Sequence, residues 1–570
     1  MGYVTPYKKL LFGSFAGAVL SVPLALAGPV FIGRAIDAIV GTGNVNFTGV
    51  WQNLLLLGLT AGIAAFLHWV LQVCTRKISV LVAQEMRQQA FNRINAAPLK
   101  RIDTTPHGDL VSRLVNDADA VAEGLLQGLS QLIPGVLTIL TTLVMMLVLD
   151  VSIALVVIII TPLSILFARF VVRRTGRLFT KQSQAQGAMS AFVGEMVTNQ
   201  NLLRTFGAEA VSEAEFDENN QQYFNANFKA TVYSSIINPG TRFINAVVYA
   251  AAGTFGAVIA IGGGITVGGV SAFLAYANQY TKPFNEISAV TTQLQSAVAG
   301  AKRLFEVMDW EPEQPDAKNA LAPTSCKGAV EAKAVNFAYN PGRPLIQNFT
   351  TAAKPGQRIA LVGPTGCGKT TIINLLMRFY EVDSGIIKVD DNPITGIQRS
   401  ALRSLYGMVL QETWLKWATV HENIAYGRPN ATREQVVEAA KAAYAHSFIK
   451  RLPKGYNTII ETGGGNLSAG QKQLLCIARI MLAKPDMLIL DEATSSIDTR
   501  TEMLIQKALE KLMQGHTSFI VAHRLSTIQH ADIILMMNAG KIVEQGTHPQ
   551  LLAQNGYYAR LYNSQFSIEE

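Results

Sequence analysis

Long stretches without charged residues occupy the first half of the chain and limit what it can fold into. Most of them approach the ~20 residues that a helix needs to cross a bilayer. Charged residues make up 15% of the 570-residue chain, against about 25% in soluble domains, and they become frequent only after about residue 310. We therefore expect a membrane α-helical domain of six transmembrane helices, near residues 10–33, 50–75, 124–149, 151–168, 243–261 and 265–281.

Lysine and arginine are concentrated in two of the segments that join these helices. Residues 76–123 and 169–242 carry them, whereas the other three connections hold no basic cluster. Positive charge marks the cytoplasmic side of membrane proteins, so these two segments and both termini are predicted to be cytoplasmic. The net charge of +8 is explained in this way, and no nucleic-acid partner is expected.

Both cytoplasmic segments are rich in helix-forming residues and poor in helix breakers. We expect the transmembrane helices to continue through them as long cytoplasmic extensions, since a helix rises ~1.5 Å per residue. The two hairpins would turn near Thr105–Asp117 and near Leu202–Glu209. Only these tips could reach a distant globular domain. The alternative is that both segments are ordinary amphipathic loops.

A phosphate-binding motif lies in the second half of the chain. Residues 311–330 are predicted to be a linker, which gives a transmembrane domain at 1–310 and a nucleotide-binding domain at 331–570. The strand-like residues 358–362 precede a match to the pattern GxxxxGK[ST], and the helix-like segment Thr371–Phe379 follows, as in an α/β P-loop domain. Backbone N–H groups of such a loop bind phosphate. The expected contacts are Gly363, Pro364, Thr365, Gly366, Cys367, Gly368, Lys369, Thr370 and Thr371.

A second apolar strand, Met487–Asp491, is followed directly by another carboxylate, Glu492. Asp491 at the strand end can hold Mg²⁺ together with Thr370, and Glu492 can orient and deprotonate the water that attacks the γ-phosphate. The alternative is a surface pair of carboxylates. It is disfavoured because the apolar strand puts the pair at the carboxyl edge of a sheet, where ligands bind.

The motif Leu467-Ser-Ala-Gly-Gln471, about twenty residues before Asp491, resembles the signature motif of ABC transporters. The other motifs stand in the order of that family, and the resemblance covers essentially the whole chain. A membrane domain that precedes the nucleotide domain resembles a bacterial exporter-type half-transporter. The resemblance implies that Tyr339 stacks on adenine. The other nucleotide-binding residues that it implies are Ser468, Ala469, Gly470, Gln471 and Asp498.

The same resemblance implies a catalytic set and a partner. Glu492, His523 and Gln411 would act on the γ-phosphate, and Gln411 would also contact Mg²⁺. The implied cofactors are ATP and Mg²⁺. In this family ATP lies between the P-loop of one nucleotide domain and the signature of another, so a second half-transporter is expected. The implied location is the bacterial cytoplasmic membrane, with the nucleotide domain in the cytosol.

Three places depart from the pattern of the family. Ala469 stands where glycine is usual, Thr462 where glutamate is expected, and Lys416–Trp417 where small or apolar residues are common. An altered signature beside an intact Glu492 resembles the glutamate-bearing subunit of heterodimeric multidrug exporters. A heterodimer is therefore slightly favoured. In the alternative, a homodimer, the extra methyl of Ala469 is tolerated.

The function implied by the resemblance is export of an amphipathic or lipophilic substrate (a drug, lipid or peptide), driven by ATP hydrolysis through alternating access. The alternatives are an exporter-fold importer or siderophore-handling transporter, and an ATP-gated channel or sensor. The presence of both Glu492 and His523 disfavours the channel or sensor. Polar residues inside a membrane are functional candidates. Those that could line a substrate cavity are His68, Arg242, Asn245, Gln279, Lys282 and Glu286. The alternative for Arg242, Lys282 and Glu286 is a place near the cytoplasmic end of the membrane, where long charged side chains extend to water.

Overall fold

The computed structural model describes residues 3–39, 45–410, 413–461, 464–491, 497–521 and 528–566. Contacts between Cα atoms divide the chain into two compact units. The first contains Met1–Asn95 and Pro106–Trp310, and the second contains Ala96–Thr105 and Glu311–Glu570. The ten residues Ala96–Thr105 therefore belong to the second unit, although more than two hundred residues of the chain separate them from Glu311, where the rest of that unit begins.

The first unit is built from helices. A 3₁₀ turn at Thr5–Tyr7 precedes them, and π-helical turns at Arg113–Asp117 and Gly128–Leu132 join consecutive helices. In chain order, and including α4 of the second unit, they are α1 (Lys8–Leu26), α2 (Gly28–Asp37), α3 (Phe47–Ala96), α4 (Leu99–Asp103), α5 (His107–Ser112), α6 (Ala118–Gln127), α7 (Ile133–Leu149), α8 (Val151–Thr198), α9 (Gln200–Thr205), α10 (Glu209–Ser235), α11 (Ile237–Ile261) and α12 (Val267–Met308).

Three of these helices are much longer than a membrane is thick. Helices α3, α8 and α12 have 50, 48 and 42 residues. At ~1.5 Å per residue, α3 extends about 75 Å, against a hydrocarbon layer of about 30 Å. The prediction that apolar helices continue beyond the bilayer is therefore confirmed. The hairpin turn predicted near Leu202–Glu209 is also found, since α8, α9 and α10 follow one another across it.

Four helical stretches in the described part of the chain are long and apolar enough to cross a membrane: Thr5–Asp37, Phe47–Ala96, His107–Leu149 and Glu209–Ile261. The fourth predicted crossing corresponds to a shorter apolar stretch, Val151–Leu163, within α8. The sixth lies in α12, where Asn278, Gln279 and Lys282 lower the mean hydropathy. The count of six crossings is therefore not confirmed and stays a prediction.

A tyrosine and an aspartate fix the packing of α12 against α2 and the end of α1. Tyr276 is fully buried, and its hydroxyl donates a hydrogen bond to the carbonyl oxygen of Leu26 at 2.5 Å. Asp37 accepts hydrogen bonds from the Thr266 hydroxyl and from the backbone N–H of Gly268, both at 2.7 Å. These bonds satisfy donors at the start of α12, where a helix has no internal partners.

The second unit contains twelve strands among its described residues. A four-stranded sheet has the order β2-β1-β4-β5, a six-stranded sheet has the order β12-β11-β3-β10-β9-β6, and β7 pairs with β8. In the six-stranded sheet every pairing is parallel except that of β12 with β11. The strands are β1 (Val330–Phe337), β2 (Ile346–Ala353), β3 (Arg358–Val362), β4 (Ser384–Val389), β5 (Asn392–Pro393), β6 (Tyr406–Val409), β7 (Ala418–Thr419), β8 (Ile459–Ile460), β9 (Met487–Asp491), β10 (Thr517–Val521), β11 (Ile533–Asn538) and β12 (Lys541–Gly546).

Helices cover this sheet, as expected for the predicted α/β domain. Short 3₁₀ turns lie at Ile394–Gly396 and Gly455–Asn457, and the last two helices of the described residues are His548–Ala553 and Tyr557–Phe566. The other helices are α13 (Lys369–Leu376), α14 (Arg399–Ser404), α15 (Val420–Ala425), α16 (Arg433–Ala442), α17 (His446–Ile449), α18 (Ala469–Ala483) and α19 (Thr499–Met513).

The buried strands of the six-stranded sheet face two separate cores. Successive side chains of a strand point to opposite faces. In β3, Ile359 and Leu361 pack in the core that contains α13 and the four-stranded sheet. Ala360 and Val362 pack in the core that contains α15, α16, α18 and α19. Helices α13 and α18 therefore lie on opposite faces of one sheet.

Candidate functional site

The P-loop turns from the buried strand β3 into α13. Its last residue, Gly368, has φ of +102°, a left-handed conformation that glycine adopts without steric cost. A Cβ atom there would also lie 2.5 Å from the Cδ1 atom of Ile346. The local sequence thus permits a tight loop that exposes Pro364, Thr365 and Gly366. This geometry fits the backbone cradle that phosphate requires.

The side chain of Lys369, the first residue of α13, is hydrogen-bonded to the backbone of the loop. It is only 8% exposed, and its ammonium group donates to the carbonyl oxygens of Gly363 at 2.7 Å and of Pro364 at 3.1 Å. Its charge is therefore held against the loop where the phosphates would lie. Among the other predicted contacts, Cys367 and Thr371 are buried, whereas Thr370 is exposed.

Asp491 lies at the same edge of the sheet as the P-loop. It is the last residue of β9 and is 9% exposed. In the sheet register it pairs with Val521 of β10, and β10 pairs Val521 with Leu361 of β3. Because neighbouring strands are ~4.8 Å apart, the backbone of Asp491 is about 10 Å from that of β3. A carboxylate at this place fits a role as a magnesium ligand.

The three residues predicted to act on the γ-phosphate, Gln411, Glu492 and His523, lie outside the described residues. Their roles stay predictions. Thr462, one of the positions that depart from the family pattern, lies outside them as well. Of the pair Lys416–Trp417, the tryptophan is 72% exposed.

Tyr339, the predicted adenine-stacking residue, is held in an aromatic cluster beside α13. Its ring meets those of Phe337 and Tyr380 edge-to-face, with centroid distances of 4.9 Å in each case. The side-chain amide of Asn374 in α13 donates to the Tyr339 hydroxyl at 3.2 Å. Such edge-to-face contacts fix the orientation of an aromatic ring. The ring of Tyr339 therefore has a fixed orientation, and it packs against the core that contains the P-loop helix.

The signature motif forms the first turn of α18. The Ser468 hydroxyl accepts from the backbone N–H of Gln471, and the Gln471 side chain accepts from the backbone N–H of Ser468. This capping box leaves the helix N terminus well defined. Ala469 is exposed at the first position of the helix. Its extra methyl group is therefore not crowded by the residues that the structure describes.

Gly470 is the position of the motif where a side chain would not fit. A Cβ atom there would overlap the Cγ2 atom of Thr501 and lie 3.0 Å from the Cγ2 atom of Ile497. The glycine thus lets α18 approach the start of α19. Asp498 caps α19 by accepting from the backbone N–H of Thr501 at 2.9 Å. Hydrogen bonds from the backbone and side chain of Thr501 lower the pKa of Asp498.

The structure brings the predicted residues together in two groups. The P-loop helix, Tyr339 and Phe337 belong to one core, and the helix that follows Ser468 belongs to the other. The six-stranded sheet separates α13 from α18. The P-loop helix and the signature helix of one chain therefore pack on opposite faces of their own sheet.

Sequence reasoning missed a short segment that belongs to the nucleotide unit. The structure assigns Ala96–Thr105 to the second unit and Pro106–Trp310 to the first, so only Thr105 of the tip predicted near Thr105–Asp117 belongs to the nucleotide unit, and the role of that tip stays a prediction. Leu99 packs against the core that contains the P-loop helix, and Asp103 accepts a hydrogen bond from the Tyr380 hydroxyl. Prolines that flank α4, at 98 and 106, were the available signal, since proline breaks helices.

The predicted linker also carries side chains that pack in the nucleotide unit. Glu313 and Asp316 pair with Arg399, which is 9% exposed, at 3.3 and 2.8 Å. Glu381 pairs with Arg399 at 2.7 Å and with Arg378 at 2.9 Å. We call these five residues the arginine cluster. It attaches the chain after residue 310 to the nucleotide unit.

The hydrogen bond between Tyr380 and Asp103 should hold α4 in place. Burial and this bond raise the pKa of Tyr380, so the phenol donates at neutral pH. Tyr380→Phe keeps the ring contacts and removes the bond to a charged acceptor. We expect trypsin to cut after Lys100 or Arg101 about tenfold faster in the full chain, measured by mass spectrometry of the released ends.

A matched control is Tyr456→Phe, which removes another buried hydroxyl, 2.8 Å from His446, far from α4 in sequence. It should leave cleavage at Lys100 and Arg101 unchanged. Equal cleavage rates in Tyr380→Phe and the unsubstituted chain would contradict a holding role for this bond.

Comparison with known families agrees with both halves of the chain. The family model described as "ABC transporter transmembrane region" matches residues 11–284. The model described as "ABC transporter" matches residues 346–495, a range that starts before the P-loop and ends after Asp491.

Relatives match along nearly the whole chain. A fatty acid ABC transporter ATP-binding/permease protein of Mycobacterium tuberculosis is 41% identical over 530 residues, which cover 92% of this chain and 83% of the relative. An ATP-dependent lipid A-core flippase of Chromobacterium violaceum is 35% identical over 573 residues, which cover 100% of this chain and 97% of the relative.

A solved structure has the same fold. It is that of a bacterial Atm1-family ABC exporter with ATP bound, and it aligns with a TM-score of 0.77 at 27% identity, covering 99% of each chain. Together with the P-loop, the capped signature helix and the apolar helices, these matches identify the family. The chain belongs to the ABC transporter family, as a multi-pass membrane protein that carries an ATP-binding domain and couples ATP hydrolysis to transport.

Proposed function

We propose that this chain is one half of a dimeric exporter that moves lipophilic or amphipathic molecules out across the bacterial cytoplasmic membrane. The observation that carries the proposal is an ATP-binding unit joined in one chain to helices that are apolar over membrane length. Relatives named for a fatty acid and for lipid A support a lipophilic substrate. Both names describe molecules with long hydrocarbon chains.

The placement of α13 and α18 supports the need for a second chain. In the resembled family, one ATP lies between a P-loop and a signature motif. Here these motifs begin helices on opposite faces of the same six-stranded sheet. A partner that offers its own signature to this P-loop would complete a site, and this chain would complete the partner's site in return. We favour a heterodimer because Ala469 departs from the usual glycine.

Different residues of the chain would bind the phosphates and the magnesium ion. Lys369 would neutralise the β- and γ-phosphates, and Thr365 and Gly366 of the exposed loop would donate backbone N–H groups to them. Thr370, Asp491 and Gln411 would hold Mg²⁺. When bound, that ion neutralises charge on the phosphate oxygens.

The residues beyond β9 and β10 would complete the reaction. Glu492 would accept a proton from the attacking water, and His523 would contact the γ-phosphate. Alternating access follows if ATP-driven closure of two nucleotide units is passed to the membrane helices through the chain at residues 96–105. Hydrolysis then resets the transporter.

Transport in inside-out membrane vesicles tests the proposal. ATP added outside such vesicles reaches the nucleotide unit, and an exporter then fills the lumen. We expect ATP-dependent accumulation of at least one lipophilic probe from oleic acid, monooleoylglycerol and a lipophilic fluorescent dye. Glu492→Gln should bind ATP but lose at least about 99% of turnover and transport, because the general base is removed.

Glu438→Gln, which replaces an exposed carboxylate on α16 with a carboxamide, is the matched control and should retain transport. ATP-dependent loss of probe from preloaded vesicles would indicate import and overturn the assigned direction. Full turnover in Glu492→Gln would overturn the assigned base. Turnover that appears only after a second chain is added would support the heterodimer over the homodimer.

A further inference from the structure

Tyr380 contacts both the segment Ala96–Thr105 and the ring that is predicted to bind adenine. All of these residues belong to the second unit. The Tyr380 hydroxyl donates a hydrogen bond to Asp103, and its ring meets that of Tyr339 edge-to-face, at a centroid distance of 4.9 Å and an interplanar angle of 90°. Tyr380 is only 7% exposed, so close packing lets its ring turn little without moving one of these neighbours. One buried side chain therefore joins α4 to Tyr339.

The P-loop helix holds the same aromatic rings from another side. The side-chain amide of Asn374 in α13 donates to the Tyr339 hydroxyl at 3.2 Å, and the backbone carbonyl of Asn374 accepts from the N–H of Phe379 at 2.9 Å. Tyr380 is the next residue, so the turn that carries it begins at the end of α13. The rings of Tyr339 and Tyr380 therefore lie between α13 and α4, with a hydrogen bond to each.

Contacts at its start, middle and end hold the segment Ala96–Thr105 in the second unit. The backbone N–H of Glu313 donates to the carbonyl oxygen of Ala96 at 2.6 Å, and Leu99 packs against the core that contains the P-loop helix. At the end of the segment, the exposed carboxylate of Asp103 accepts from Tyr380. This last bond connects the segment directly to the aromatic rings.

Binding of adenine and attachment of α4 would order the same two rings. A base that stacks on Tyr339 restricts that ring, and Tyr380 packs against it edge-to-face. The hydrogen bond to Asp103 restricts Tyr380 from the opposite end. When two binding events order one group, the first bears most of the entropic cost and the second becomes more favourable. Linkage makes the effect equal in both directions.

We propose that Tyr380 couples occupancy of the adenine site to the attachment of α4, so that a bound base holds Ala96–Thr105 more firmly than phosphates alone. The proposal rests on the proposed function, because it takes Tyr339 as the residue that stacks on adenine. It goes beyond the closure of two nucleotide units, because it requires neither a second chain nor hydrolysis. Tyr380 is a positioning residue, since it reaches the nucleotide only through Tyr339.

Calorimetric titration of the purified full chain in lipid nanodiscs tests the coupling, with the magnesium complexes of ADP and of pyrophosphate as probes. Only ADP carries a base. Asp103→Ala removes the hydrogen-bond acceptor and leaves every ring in place. We expect it to weaken ADP binding about fivefold and to leave pyrophosphate binding unchanged, because one hydrogen bond limits the size of the coupling. Tyr380→Phe should have the same effect, and the double variant no larger one, since all three lack the same bond.

Proteolysis reports the attachment of α4 directly. Lys100 and Arg101 are exposed, so trypsin can cleave after them once the segment opens. Saturating ADP should slow this cleavage about fivefold relative to saturating pyrophosphate. A hydrogen bond with a purely structural role would change cleavage equally with both probes. In Tyr380→Phe the difference between ADP and pyrophosphate should instead disappear.

Asp109→Ala is the matched control, because this carboxylate on the next helix, α5, pairs with Arg113 of the first unit at 2.8 Å. It should leave both affinities unchanged. An unchanged ADP affinity in Asp103→Ala, an equal loss for ADP and pyrophosphate, or no ADP binding to the unsubstituted chain would overturn the proposal. None of these measurements involves transport, so an absent or reversed export would overturn the proposed function alone.

Discussion

Replacement of Lys369 by methionine should lower ATP turnover at least a hundredfold. The ammonium group is buried and held 2.7 Å from the Gly363 carbonyl oxygen, inside the loop that would receive the phosphates. Removing one donor that stabilises transition-state charge costs about 10²–10³ in rate. Methionine keeps most of the buried stem, so the loss should come from the charge. Phosphate release by the purified full chain in lipid measures it.

Lys441→Met, on the exposed side of α16, is the matched control and should change turnover less than twofold. The unfolding midpoint of Lys369→Met should stay within a few degrees of the unsubstituted chain. Turnover above about a tenth of the original in a folded Lys369→Met protein would contradict the role given to this lysine.

Replacement of Arg399 by leucine should destabilise the nucleotide unit by about 3 kcal/mol. Removing one partner of a buried ion pair costs about 3–5 kcal/mol, because the remaining charges lose their compensation. The lower end applies here, since the carboxylates of Glu313, Asp316 and Glu381 are 25–45% exposed and water can partly replace the arginine. For a unit of this size the unfolding midpoint should fall by roughly 6–12 °C.

Thermal unfolding of the full chain, followed by tryptophan fluorescence, measures this change. Arg428→Leu removes an exposed arginine from the same unit and should alter stability by less than about 0.5 kcal/mol. Equal midpoints for Arg399→Leu and Arg428→Leu would mean that the arginine cluster does not hold the linker.

Local patterns were sufficient to predict the strands that carry the site. Both the strand before the P-loop, Arg358–Val362, and the strand that ends in Asp491 have the predicted bounds. An apolar run followed by glycines or carboxylates is a signal contained within a few residues. The predicted helix after the loop, Thr371–Phe379, instead begins at Lys369 and ends at Leu376, and helix ends are the least certain part of such a prediction.

Contacts between distant parts of the chain were not predictable in this way. The pairing of Asp103 with Tyr380 joins residues 277 positions apart, and that of Asp316 with Arg399 joins residues 83 positions apart. Each of these residues is polar and would be equally compatible with exposure to water. No periodicity marks such a residue as buried, because its burial depends on a partner that folding alone supplies.

The assignment of Ala96–Thr105 to the nucleotide unit bears on how halves of such transporters can be exchanged. A chimera joined at residue 310 would combine one parent's nucleotide half with the other parent's ten-residue segment. Tyr380 would then lie opposite the other parent's residue in place of Asp103. The core against which Leu99 packs would likewise meet the side chain of the other parent. Recombination between relatives should therefore succeed most often when both pieces, residues 96–105 and everything after 310, are inherited from the same parent.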